Sequence, residues 1–253
     1  MNDTVLLQEQ LGRVRLLTLN RPDKKNAIND PLWIALREAF QAAAQDDSVA
    51  CVVLTGAGDS FSAGVDLASF AATESDAPHP FESAARAVAD FDKPLVAAAR
   101  GAAIGGGATV LFHADMVYAG ETFRMRLPFA ALGLVPEWAS SYMLQANIGA
   151  QRAAELFYTA EWIDARRALE LGIVAQVIPD EQLLAHALQR AAAVAQWPVS
   201  ALREIKRSLR MHHTAAIDAA FVAEQAGMAR QAGSPDNLEA LTAFFEKRAP
   251  RFD

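Results

Sequence analysis

The chain has 253 residues, 52% of them hydrophobic and 21% charged, a balance that supplies a sizeable core and excludes global disorder. Thirty acidic residues against 23 basic ones leave a formal charge of −7, which disfavours nonspecific binding to nucleic acid or to an anionic membrane. An anionic ligand must therefore be held by a local basic cluster or by backbone N–H groups.

The single cysteine, Cys51, excludes a disulfide framework and a cysteine-rich zinc site; within the apolar run 50–55 it reads as a buried structural thiol. The first residues, MNDTVLLQEQ, lack the basic-then-apolar build of a signal peptide. The uncharged stretch 101–114 is too short to cross a bilayer. The expectation is a cytoplasmic protein with no membrane partner.

The predicted elements begin with strands over 5–9 and 13–19 around a Leu11-Gly12 turn. Asp30 followed by Pro31 predicts a helix start, with Asp30 as the cap, and the helix runs to about 45. An apolar strand spans 50–55 and ends at Gly56-Ala57-Gly58. A helix to about Phe91 is stopped by Lys93-Pro94, and a second apolar strand spans 95–99. The glycine run 105–107 opens a helix to about His113, and 116–119 is a third apolar strand. From Pro136 onward the pattern is helical, over 137–147, 150–159, 164–171, 180–196, 198–211, 214–232 and 235–248, interrupted by one strand at 174–177. Ser234-Pro235 is a further cap-plus-proline start. Alternation of strand and helix implies crossover connections and parallel pairing. The predicted organisation is an α/β core over 1–196 and a helical region over 197–253, divided at Trp197-Pro198.

Two segments share one design: CVVLTGAGDSFSAGVDL (51–67) and PLVAAARGAAIGGGATVLF (94–112). Each is an apolar strand, a loop of small residues, then a helix start. Glycine lets a ligand approach the backbone, and a helix start presents unpaired N–H groups. Two such turns facing each other would form an oxyanion hole; each could equally be no more than a tight connection. Glycines spaced GxGxxG, a Walker lysine and a GxSxG elbow are all missing. His79, His113, His186, His212 and His213 lack ligand spacing, so no metal site is expected.

These blocks, with LTLNRPDKKNAIND (17–30), ADMVYAGETFRMRLPFAALGLVPE (114–137), LGIVAQVI (171–178) and FFEKR (244–248), resemble the enoyl-CoA hydratase/isomerase, or crotonase, superfamily over nearly the whole chain. The resemblance implies a spiral of ββα units followed by a C-terminal helical trimerisation region, and a homo-trimer or a hexamer built as a dimer of trimers. It implies an acyl-CoA thioester as substrate, with no cofactor beyond that CoA moiety. Main-chain N–H groups of Val65, after Ala63-Gly64, and of Gly106, the middle glycine of the GGG run, match the family's two oxyanion donors.

Hydratases of the family use two glutamates, and the matching positions here hold Thr109 and Phe129, neither of which can act as a base. Glu137, in LGLVPEWASS, matches the single catalytic carboxylate of the Δ3,Δ2-enoyl-CoA isomerases. Taken alone, an acid there would read as a first-turn helix carboxylate. Many isomerases follow the acid with Gly-Gly, whereas Trp138-Ala139 stands here. For CoA, the resemblance points to Ala27, Ala63, Asp66 and Leu67, with basic help from Lys24 beside Lys25 and from Lys247 beside Arg248 and Arg251. Asp115 and Glu121 read as surface or loop residues. The resemblance thus implies an acyl-CoA isomerase that shifts a 3-enoyl double bond to the 2-enoyl position; hydratase-like, thioester-hydrolase or dehalogenase chemistry of the family, and a non-catalytic CoA-binding role, remain open. The acidic charge speaks against RNA binding.

Overall fold

The computed structural model describes residues 4–66 and 79–252. In chain order, β1 (Leu6–Leu11) and β2 (Val14–Leu19) precede α1 (Asp30–Gln45) and β3 (Cys51–Gly56). Next come α2 (Pro80–Ala89), β4 (Leu95–Ala99), β5 (Ala102–Ile104), the one-turn α3 (Gly106–Thr109), β6 (Met116–Gly120) and β7 (Arg124–Arg126). The second half holds α4 (Ser140–Ile148), α5 (Ala150–Thr159), β8 (Trp162–Asp164), α6 (Ala165–Leu171), β9 (Gln176–Ile178) and α7 (Asp180–Ala195). It ends with α8 (Val199–Arg210), α9 (Thr214–Gln231) and α10 (Pro235–Phe245).

The main sheet has the order β1-β2-β3-β4-β6-β9. Only β1 runs antiparallel, as a hairpin with β2; the remaining pairs are parallel. Parallel neighbours need helices as crossovers, and both faces of such a sheet are then covered. The side chains divide by the strand period of two. Leu17, Leu19, Val52, Leu54, Ala97 and Ala99 face a core shared with the buried stripe Leu32, Trp33, Leu36 and Phe40 of α1. Val14, Leu16, Cys51, Val53, Val96 and Ala98 face Leu183, Ala187 and Ala191 of α7. Cys51 is the buried thiol expected, and burial pushes its pKa up to about 12.

A small second sheet, in the order β5-β7-β8, lies beside the glycine run. Its three-residue strands are additions to the predicted elements, since 162–164 interrupts the helical half as well as 176–178. Two helix starts also shift. The cap of α1 is Asn29, whose Oδ1 accepts from Leu32 N–H, and Asp30 is the first helical residue. The helix predicted from 137 begins at Ser140, because Trp138 and Ala139 adopt left-handed φ values of +62° and +53°. After the glycine run, α3 gives way to a 3-10 turn over Val110–His113.

The C-terminal helices pack on the core. Lys206 of α8 is buried; its ammonium donates to Lys93 O and pairs with Asp115, both at 2.8 Å. Asp115 is therefore a structural ion-pair partner as well as a loop residue. Lys93 is itself fully buried, donating to Ala43 O and Asp46 O at 2.7 Å. No described helix is long and apolar enough to cross a membrane.

Candidate active site

Two turns meet at the ends of β3 and β4. Ser62 N–H donates to Ala102 O and Ile104 N–H to Ser62 O, each at 3.0 Å, so residue 62 runs as a partner of β5. On the other side, Ile28 N–H donates to Gly64 O and Asp66 N–H to Ile28 O. A Cβ placed on Gly64, where φ is +83°, would stand 2.4 Å from Ile104 O and 3.3 Å from Gly106 N. Only glycine lets the backbones of 64 and 106 come this close. Val65 and Gly106 thus flank one contact between the turns. Neither N–H donates to a protein acceptor among the described residues.

The DKKNAI loop locks this arrangement. The amide of Asn26 is fully buried at φ +54°; it accepts from Arg21 N–H and donates to Ala57 O and Ser60 O. Ser62 Oγ donates to Asn26 O and accepts from Gly64 N–H. The Asn26 amide and the Ser62 hydroxyl are thus both paired, as burial demands.

Glu137 faces Gly106. Its Oε1 lies 2.9 Å from the position a Cβ on Gly106 would take. Burial pushes the Glu137 pKa up to about 8, and the nearby carboxylate of Glu224 adds to the rise. The segment around Glu137 is held by α9 and α10. Asn237 Nδ2 donates to Leu132 O at 2.8 Å. Gly227 has no side chain where Val135 packs; a Cβ there would meet Val135 at 3.1 Å. Glu224 Oε2 accepts from Ala139 N–H at 2.7 Å and Oε1 accepts from Ser141 N–H at 2.8 Å.

The place at the start of α4 that an acid at 137 would have taken thus belongs to Glu224, and Glu137 precedes the helix. On the other side, His113 Nε2 lies 2.6 Å from Trp138 O. A carbonyl can only accept, so Nε2 carries the proton. Burial lowers the His113 pKa to about 4 and keeps the ring neutral.

Aromatic rings wall the space around the carboxyl. Trp33 and Phe81 meet edge to face with centroids 5.2 Å apart, and Trp138 lies 6.0 Å from each. Thr109 is fully buried, and Phe129 is buried beside Phe157. The two positions that would hold a hydratase's glutamates thus carry a hydroxyl and a phenyl ring.

The remaining residues named from sequence are spread more widely. Ala27 and Ala63 flank the turn that carries Val65, and Ala63 N–H donates to Lys25 O. Asp66 pairs with Arg21 at 2.9 Å, both side chains largely buried, so its charge is committed within the chain. Lys24 is exposed on a 3-10 turn, and Lys25 lines a surface cleft with Arg100 and Arg124. Lys247 is exposed in the turn after α10, and Arg248 is engaged by Glu239 and Glu246. Leu67 lies outside the described residues. No cluster of metal-binding side chains occurs among the described residues. Sequence reasoning missed Glu224, His113 and Trp33, whose places in the site come from contacts between distant segments.

The mostly parallel sheet with its helical crossovers, and the two glycine turns that meet beside Glu137, make a crotonase-like fold. The family described as enoyl-CoA hydratase/isomerase matches residues 9–253. The chain belongs to that family. It is 35% identical to the 2,3-dehydroadipyl-CoA hydratase of Escherichia coli (strain K12) over 257 residues, covering 100% of this chain and 99% of that protein. To the 1,2-epoxyphenylacetyl-CoA isomerase of the same organism it is 32% identical, again over 100% of this chain and 99% of the relative. The crystal structure of an enoyl-CoA hydratase/isomerase from Pseudoalteromonas atlantica T6c superimposes with a TM-score of 0.95 at 38% identity, covering 98% of this chain and 100% of that one.

Proposed function

We propose that the protein is an acyl-CoA isomerase that shifts a double bond from the 3-enoyl to the 2-enoyl position with Glu137 as its one base. The observation that carries this reading is the Glu137 carboxyl set against Gly106, with Thr109 and Phe129 where a water-handling pair would be. In this reading the thioester oxygen accepts from Val65 N–H and Gly106 N–H. Glu137, as carboxylate, takes a proton from C2. The electron pair moves to the thioester oxygen as a dienolate, which the two amides stabilise; a donor of this kind is typically worth about 10²–10³ in rate. The protonated Glu137 then returns the proton at C4, and the double bond lies between C2 and C3. One group serves as base and then as acid, so its pKa belongs near the working pH. Burial supports that in Glu137.

The CoA moiety is assigned to the backbone around Ala27, Ala63 and Asp66 and to the basic side chains of Lys24 and Lys247. The exposed apolar residues of α9 and α10, Val222, Leu238, Phe244 and Phe245, support assembly as a trimer or a dimer of trimers, since such patches mark interfaces.

Ultraviolet monitoring of 3-enoyl-CoA and 2-enoyl-CoA tests the reading. Wild type is expected to interconvert them without forming 3-hydroxyacyl-CoA, and Glu137→Gln to lose at least ~10³ in kcat. Accumulation of 3-hydroxyacyl-CoA, rapid release of CoA thiol, or full activity in Glu137→Gln would each overturn it.

A further inference from the structure

Trp138 places a hydrogen-bond donor beside Glu137 that none of the described residues accepts. Its indole is 1% exposed and its Nε1 has no partner among the described residues. That nitrogen lies 3.7 Å from the Cβ position of Gly106, the same point that Glu137 Oε1 approaches. Trp33 Nε1, Thr109 Oγ1 and His113 Nδ1 are also buried and have no partner among the described residues. Buried polar atoms are almost always satisfied, and each exception destabilises the fold and calls for an explanation. The backbone adds to the cost. Trp138 sits at φ +62°, a conformation that a bulky residue adopts only when its surroundings impose it. Those surroundings are His113 on its carbonyl and Glu224 on the next N–H. The chain thus holds an indole N–H, at a cost, beside Gly106 and the Glu137 carboxyl.

We propose that Trp138 determines specificity by donating its indole N–H to an oxygen on the acyl group, close to the reacting carbons. This rests on the acyl-CoA reading above. The substrate class is then an acyl-CoA whose acyl chain carries a hydroxyl, oxo or ether oxygen, not a plain hydrocarbon chain. Discrimination follows from the unpaired donor. A hydrocarbon chain leaves Nε1 unsatisfied in the complex, and sites built around a polar contact reject ligands that lack it.

Equilibrium binding of saturated thioesters tests this without any turnover. Hexanoyl-CoA is compared with its 3-oxa, 4-oxa and 5-oxa analogues, in which one methylene is replaced by an ether oxygen. At least one analogue is expected to bind wild type about tenfold tighter than hexanoyl-CoA, equal to ~1.4 kcal/mol. In Trp138→Phe that ratio is expected to fall to within about twofold, as the donor is gone. In wild type, the indole ¹⁵N–¹H signal of Trp138 is expected to move with the preferred analogue and to stay in place with hexanoyl-CoA, which decides the matter should the variant not fold. Equal affinities across the series overturn the proposal, as does a preference that persists in Trp138→Phe or leaves the indole signal unmoved. Failure of every acyl-CoA to bind would instead remove the acyl-CoA reading itself.

Discussion

The Glu137 carboxyl occupies the space that a side chain on residue 106 would need: Oε1 stands 2.9 Å from the Cβ position of Gly106. Glycine at 106 is thus required by the acid it faces. The backbone there does not demand it, since the left-handed glycines are others, among them Gly64 and Gly105. Gly106→Ala is expected to fold, with a stability change of about 1 kcal/mol or less, because the group that must yield is the end of a flexible side chain. Its kcat is expected to fall ~10²-fold or more, since a displacement of about 1 Å at a reacting group costs that much. Thermal melts alongside steady-state rates on 3-enoyl-CoA check the pair of effects; an unaltered rate would show that the carboxyl does not work from this position.

The raised pKa of Glu137 has one consequence for rate and an opposite one for stability. The base must be ionised, so kcat/KM is expected to rise with pH through an apparent pKa near 8. The folded protein holds this proton more tightly than the unfolded chain does, where the value is the ordinary 4.5. Stability therefore falls as pH climbs from about 4.5 through about 8 and is level beyond. Glu137→Gln removes this dependence. Its stability relative to wild type is expected to grow by about 1–4 kcal/mol between pH 5 and pH 9, as read by urea unfolding at both pH values.

Asn26 governs the turn that presents Val65. Its side chain makes three hydrogen bonds, to Arg21 N–H, Ala57 O and Ser60 O, in a fully buried left-handed residue. Asn26→Ala leaves those groups unpaired and puts alanine at a φ it disfavours. The expected cost is about 3–5 kcal/mol, from lost buried hydrogen bonds at about 1 kcal/mol or more each and a left-handed penalty of about 1–2 kcal/mol. Chemical denaturation measures it, and a loss under about 1 kcal/mol would mean that the loop is held elsewhere.

What could be read in advance follows from the range of the forces involved. β3 and β4 are continuous apolar runs, and α1 carries a regular buried stripe, so burial wrote each into its own local pattern. The strands 102–104, 124–126 and 162–164 are too short for a period to show, and their existence depends on one another. Trp138-Ala139 has neither glycine nor asparagine to mark a left-handed turn, which is why α4 starts later than its pattern suggests. Val65, Gly106 and Glu137 were named as candidates through family resemblance, and the fold sets Glu137 and the turn at Gly64 against Gly106. Glu224 was not, since an acid within AEQAGMAR is indistinguishable from a solvated one until α9 is laid against α4.

Glu224 acts on Glu137 in two ways that substitution can separate. Its carboxylate fixes Ala139 N–H and Ser141 N–H, and its negative charge disfavours ionisation of Glu137. Glu224→Gln removes the charge while keeping one acceptor, so the apparent pKa in the kcat/KM profile is expected to move to lower pH, with a modest stability loss of about 1 kcal/mol. Glu224→Ala leaves both N–H groups unpaired, and about 1–3 kcal/mol of stability should be lost for each buried donor so exposed to an apolar surround. That variant is also expected to lower kcat, since the turn that carries Glu137 loosens. A purely structural Glu224 would change melting temperature in both variants and leave the pH profile where it was. Rate profiles between pH 5 and pH 10 for the two variants, set against their melts, decide between these outcomes.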